Sequence, residues 1–146
     1  MPPQAPQDNS QSDVQLPNKP IGQAEPKYKN ILCIEDEHFI SELYERALMK
    51  AGYNVQTMVD GKQGLEEAKT NKYDIILLDI MLPTMTGIEV LKQLRSLKLK
   101  SKVIITTNLE QSDAAKAEIE DQADGYIIKA EITPKQLVDF LQTLET

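Results

Sequence analysis

A single cysteine, Cys33, rules out an intramolecular disulfide framework in this chain of 146 residues. It lies in the apolar run Ile31-Leu32-Cys33-Ile34, where it reads as buried filler rather than a reactive thiol. No apolar run approaches the ~18 residues of a membrane-spanning helix. No charged n-region followed by an apolar stretch marks a secretory signal either. A cytoplasmic protein without membrane partners is expected. Basic charge is also in deficit: 16 Lys and Arg face 23 Asp and Glu, a net charge of −7. That balance argues against non-specific binding to nucleic acid or to anionic membranes. The one histidine, His38, starts a predicted helix and is expected to face solvent.

What is present is one domain's worth of core, with 40% hydrophobic and 27% charged residues. Residues 1–27 differ in kind from the rest. They hold six of the eight prolines among Gln, Asn and Ser, too little apolar surface to offset ordering entropy. They are expected to form a disordered N-terminal tail ahead of a domain over 28–146.

From Tyr28 onward, short apolar strands alternate with amphipathic helices. Strands are predicted at Lys29–Ile34, Tyr53–Met58, Tyr73–Asp79, Lys102–Thr106 and Gly125–Ile128. The first helix carries Phe39, Ile40, Leu43, Tyr44, Ala47 and Leu48 at helical spacing and ends at Gly52. Helices follow at Gly61–Thr70, through Ile88, Val90, Leu91, Leu94 and Leu97, and at Ser112–Asp121. The last starts at Thr133-Pro134, an N-cap followed by proline at the first helical position. Five βα units imply a doubly wound parallel sheet with helices on both faces. The expected strand order is 2-1-3-4-5, as in flavodoxin-like folds.

That scaffold gathers polar residues on one edge. Glu35, Asp36 and Glu37 follow the first strand, Asp79 ends the third, Thr107 and Asn108 follow the fourth, and Lys129 follows the fifth. Asp79 closes the run Ile75-Ile76-Leu77-Leu78, and a charge there must be solvated, hydrogen-bonded or held against a cation. Carboxylates within ~5 Å repel by roughly 3 kcal/mol per pair at an effective dielectric near 20. Either they share protons or a divalent cation sits among them, and hard oxygen ligands favour Mg²⁺ over zinc. Glu35 and Asp36 also stand where they would simply cap the first helix. No phosphate-cradling glycine loop follows the first strand, which argues against a flavin- or nucleotide-binding enzyme.

Four segments carry a family resemblance: Ile31-Leu32-Cys33-Ile34-Glu35-Asp36-Glu37, Leu77 to Gly87 with its Asp79 and Pro83, Val103-Ile104-Ile105-Thr106-Thr107, and Gly125-Tyr126-Ile127-Ile128-Lys129. Together they resemble the receiver domain of two-component response regulators, over residues 28–146. The resemblance implies that Asp79 accepts a phosphoryl group from a sensor histidine kinase or a phosphotransfer protein. It implies that Glu35, Asp36, Asp79 and the Met81 backbone carbonyl hold Mg²⁺. Thr107 and Lys129 would stabilise the phosphoryl oxygens, and Thr107 with Tyr126 would form the conformational switch. Such a protein is not a conventional enzyme; it catalyses its own phosphorylation and its own dephosphorylation. Output through a downstream protein is expected at the face formed by the fourth helix, fifth strand and fifth helix. Phosphorylation would bring at most a weak homodimer there. The chain stops shortly after its fifth helix, so a single-domain regulator that does not bind nucleic acid is expected.

Some positions depart from the family. Ala130 follows Lys129 where proline, often after a cis peptide, is common. A cis bond before alanine costs about 3 kcal/mol, so a trans bond and a differently shaped loop are expected. Asn108 replaces a small residue and stands where it would crowd the site or hinder the Thr107–Tyr126 coupling. Thr86 replaces a frequent acidic residue, and Glu35 a more frequent aspartate. Met81 and Leu109 are both apolar and flank the path of attacking water, which predicts slow self-dephosphorylation. The rival reading is a pseudo-receiver, an interaction module that is never phosphorylated.

Overall fold

Alternation of the apolar residues along each strand assigns one set of side chains to each face of a central sheet. The computed structural model describes residues 28–108 and 112–144. The chain runs β1 (Asn30–Ile34), α1 (His38–Lys50), β2 (Asn54–Met58), α2 (Gly61–Ala68), β3 (Ile75–Asp79), α3 (Gly87–Ser96), β4 (Lys102–Thr107), α4 (Asp113–Gln122), β5 (Gly125–Ile128) and α5 (Pro134–Thr143). All strand pairs are parallel, in the order β2-β1-β3-β4-β5. This is the doubly wound, flavodoxin-like sheet expected from the sequence.

Leu32, Ile34, Ile76, Leu78, Val103 and Ile105 point to one face, where they meet Leu65 and Ala68 of α2, Leu91 and Leu94 of α3 and Ile119 of α4. Ile31, Cys33, Ile75, Leu77 and Ile104 point to the other, against Tyr44 and Leu48 of α1 and Leu137 and Leu141 of α5. Every residue of β3 is buried. It is the central strand, with β1 on one side and β4 on the other.

Local signals set the helix ends. Thr86 and Thr133 each form a reciprocal capping box, with Glu89 and Gln136 respectively. Gly52, at φ 105°, takes the left-handed conformation that releases the chain from α1. Phe39 is a departure from expectation, being 72% exposed. At roughly 100° per residue it lies about 140–180° around α1 from Tyr44 and Leu48, so the core stripe excludes it. His38 is exposed as expected. Among the described residues there is no cis peptide bond, so Ala130 follows a trans bond. Among them, too, no helix is long and apolar enough to cross a membrane. The tail over 1–27 and Leu109 lie outside the described residues.

Candidate functional site

The winding reverses between β1 and β3, and this switch point opens a crevice at the C-terminal edge of the sheet. Glu35 leaves β1 there, Asp79 ends β3, Thr107 ends β4, and Lys129 opens a 3₁₀ turn directly after β5. Glu35, Asp36 and Asp79 each bring a carboxylate oxygen within 4.8 Å of the others. Lys129 Nζ donates to Glu35 Oε1 at 2.8 Å, to Glu37 Oε1 at 3.1 Å and to Asp79 Oδ2 at 3.3 Å. The backbone N–H of Met81 donates to the other oxygen, Asp79 Oδ1, at 3.2 Å. Glu35, Asp79, Thr107 and Lys129 are buried, whereas Asp36 is exposed. The site is therefore closed below by the sheet and open on the Asp36 side.

Its charges are unbalanced. Glu35, Glu37 and Asp79 converge on one ammonium, and Asp36 adds a fourth carboxylate beside Glu35 and Asp79. Burial pushes the Glu35 carboxyl up to about 7, against the pull of its hydrogen bond from Lys129. For Lys129, burial alone would lower the pKa, but Glu35, Asp79 and Glu37 more than offset it and hold the ammonium above its ordinary value. Glu37 moves the other way: its hydrogen bonds from Lys129 and Asn108 hold it below the usual carboxylate range. A set of hard oxygen donors with surplus negative charge and one open side fits a hydrated divalent cation.

Known proteins share this pattern. The family model for the response regulator receiver domain matches residues 31–142. The chain belongs to the response regulator receiver family. Curated relatives of this receiver include the alkaline phosphatase synthesis transcriptional regulatory protein PhoP of Bacillus subtilis, 41% identical over 101 residues, 69% of this chain and 42% of the relative. The response regulator ArlR of Staphylococcus saprophyticus is 40% identical, over 68% of this chain and 44% of the relative. The receiver thus spans less than half the length of these relatives. Among solved structures, a CheY-like receiver from Methanospirillum hungatei superposes with a TM-score of 0.73 at 26% identity, covering 81% of this chain and 94% of that one. A Vibrio cholerae chemotaxis response regulator gives 0.72 at 29% identity, covering 81% and 99%. Phosphorylation, contact with histidine kinases or phosphotransfer proteins, and use of Mg²⁺ are general features of this family.

Two further features of the receiver bear on how the site is held and read. A Cβ on Gly87 would stand 2.1 Å from the Asp79 carbonyl oxygen and 2.7 Å from Ile80 Cα. Only glycine lets α3 start this close to the Asp79 backbone. Thr107 and Tyr126 share a face of the sheet, since Ile105 pairs with Tyr126 in register and Thr107 is two residues further on. Tyr126 is half-buried against the α2–α3–α4 face of the core, with Lys116 Nζ 5.6 Å from its ring centroid. Beside it runs a groove of about 500 Å³ lined in part by Tyr126, Ile128, Ile132, Gln136, Phe140 and Thr143.

Every residue singled out from the sequence as a site residue lies on this edge or, for Tyr126, on the strand beneath it. Sequence reasoning left Glu37 without a role. Its signal was the third carboxylate in Glu35-Asp36-Glu37, but only the structure shows it reaching Lys129. The Met81 side chain is 73% exposed.

Proposed function

We propose that this receiver is a Mg²⁺-dependent phosphoryl switch in which Asp79 is the acceptor. The observation that carries the reading is the position of Asp79: a buried strand-end carboxylate, one oxygen on Lys129 and the other on the Met81 amide, within 4.8 Å of two further carboxylates. Glu35, Asp36, Asp79 and the Met81 carbonyl would hold the metal. Bound there, Mg²⁺ neutralises charge that otherwise keeps an anionic donor away from an anionic nucleophile.

An oxygen of Asp79 attacks phosphorus of a phosphohistidine on a sensor kinase or phosphotransfer protein. The P–N bond breaks, an acyl phosphate forms, and the imidazole, already protonated on its other ring nitrogen, takes the bonding pair and leaves as the neutral base. Lys129 supplies a fixed positive charge to the transferred oxygens, and the Thr107 hydroxyl donates to one of them. Movement of Thr107 toward the phosphoryl group frees space for Tyr126, and the α4–β5–α5 face repacks. The groove beside Tyr126 lies on that face and suits a protein target or a second copy of the chain. We read the chain as signalling by this face alone, without nucleic acid; its charge of −7 supports that. PhoP is named a transcriptional regulator, but less than half of its length is matched here.

Incubation with acetyl phosphate, or with beryllofluoride, in Mg²⁺ tests the proposal. One adduct is expected, absent from Asp79→Asn. A wild-type protein that stays unmodified while a control receiver is labelled overturns it in favour of a pseudo-receiver. Slow loss of the phosphoryl group is part of the proposal, and a half-life of only seconds counts against that part.

A further inference from the structure

Glu37 occupies the N-cap position of α1, yet its carboxylate makes no capping bond to the helix. An N-cap carboxylate ordinarily accepts from the first-turn amides and is favoured by the positive end of the helix dipole. Its Oε1 instead accepts two bonds from outside the helix, from Lys129 Nζ at 3.1 Å and from the Asn108 side-chain amide at 3.1 Å.

The strand order decides what this contact spans. Glu37 belongs to the loop leaving β1, Asn108 follows β4, and these strands flank β3 on opposite sides. A Glu37–Asn108 bond therefore crosses the sheet edge at the end of β3, where Asp79 lies. The oxygen that accepts from Asn108 is also the one that holds Lys129, and Lys129 in turn holds Asp79. One ammonium is shared between the buried acceptor and the exposed bridge.

We propose that the Glu37–Asn108 bridge is a latch that holds Lys129 in the unmodified protein and opens when an anionic phosphoryl group occupies Asp79. The proposal rests on Asp79 being the acceptor. An ammonium has three donor protons, and here they already face Glu35, Glu37 and Asp79. Phosphorylation replaces the single negative charge of Asp79 by up to two and its one oxygen on Lys129 by three acceptor oxygens, so the ammonium is drawn toward the phosphoryl group and its most weakly held partner gives way. Glu35 has a side chain 2% exposed, so a bond it loses from Lys129 is not replaced by water. Glu37 is 47% exposed, and water replaces its bonds at little cost. Glu37 is therefore the partner that leaves, and Asn108 loses its acceptor with it. Asn108 is thereby a positioning residue, acting on Lys129 through Glu37.

Titration of the full chain with beryllofluoride in saturating Mg²⁺, followed by ¹H–¹⁵N spectra, tests the latch. Asn108→Ala assigns the Asn108 side-chain amide pair, and Glu37→Ala gives its position with the latch open. Saturation of wild type moves that pair to the position seen in Glu37→Ala. Asn108→Ala and Glu37→Ala each bind the anion ~5-fold tighter, the worth of about one solvent-exposed hydrogen bond, and the double variant no tighter than Glu37→Ala alone. A purely structural role for Asn108 predicts weaker binding. An Asp79 adduct that leaves the Asn108 pair in place, or an Asn108→Ala affinity that is unchanged or weaker, overturns the latch and leaves the acceptor reading standing. Absence of any adduct on wild type overturns both.

Discussion

Lys129 Nζ and Glu35 Oε1 lie 2.8 Å apart, on side chains that are each 2% exposed. A pair this deeply buried contributes little net stability over an apolar pair of the same shape, but breaking it from one side is costly. Lys129→Met leaves Glu35 and Asp79 without their cation. A loss of about 3–5 kcal/mol is expected in chelator, read from urea unfolding, with part of it recovered in Mg²⁺. A loss under about 1 kcal/mol would show that water already reaches these carboxylates.

The same burial sets a pH dependence. Glu35 titrates near 7 in the folded chain against an ordinary value of 4.5. Between those values the folded state keeps a proton that the unfolded state has released. The contribution of Glu35 to stability is therefore complete below about pH 4.5 and is lost as pH rises through about 7. Without metal, the stability difference between wild type and Glu35→Gln should fall across that window. Mg²⁺ should flatten the slope, because the ion favours the carboxylate form. A difference that rises with pH in chelator would contradict the assignment. Glu37 does not obscure the test, because its pKa is lowered and it titrates below the window.

Gly87 ties the site to the fold. Its N–H donates to the Ile80 carbonyl at 2.8 Å, so α3 cannot retreat from the Asp79 backbone without losing that bond. Gly87→Ala places a methyl 2.1 Å from the Asp79 oxygen. About 2–3 kcal/mol of destabilisation is expected from overpacking, with weaker Mg²⁺ binding, because Asp79 shifts with its backbone. Calorimetric titration with Mg²⁺ at a temperature where the variant stays folded separates the two effects. Unchanged metal affinity would place the whole strain in α3.

Much of this was legible in the sequence, because the periods that build the fold also place the chemistry. Four buried aliphatics before Asp79 mark a central strand, and strand ends mark the sheet edge. Parity along β1, β3 and β4 divides the two cores as observed. Phe39 was misplaced because an apolar residue at a helix start looks like part of the stripe until its angle to Leu48 is counted. The Glu37–Asn108 bond is carried by no period at all. It joins residues 71 apart in sequence through side-chain rotamers, which one chain read linearly does not encode. The same holds for Thr84, whose strain appears only in its backbone angle.

Thr84 sits at φ 68° in the loop that follows Asp79, a region where a β-branched residue is strained by about 1–2 kcal/mol. Two contacts oppose that strain. Its hydroxyl donates to Asp60 Oδ1 at 3.2 Å and accepts from the Lys62 N–H at 3.2 Å, tying the loop to the start of α2. Both are exposed, so each is worth at most about 1 kcal/mol. Asparagine adopts the left-handed region readily and carries an oxygen able to accept from Lys62. Thr84→Asn should therefore stabilise the chain by about 0.5–1 kcal/mol, while Thr84→Val, with the same branching and no hydroxyl, should destabilise it by at least about 1 kcal/mol. Urea midpoints of the two variants decide the balance. Stabilisation by valine would mean that the Asp60 contact does not hold this loop, the one that carries the Met81 amide bonded to Asp79.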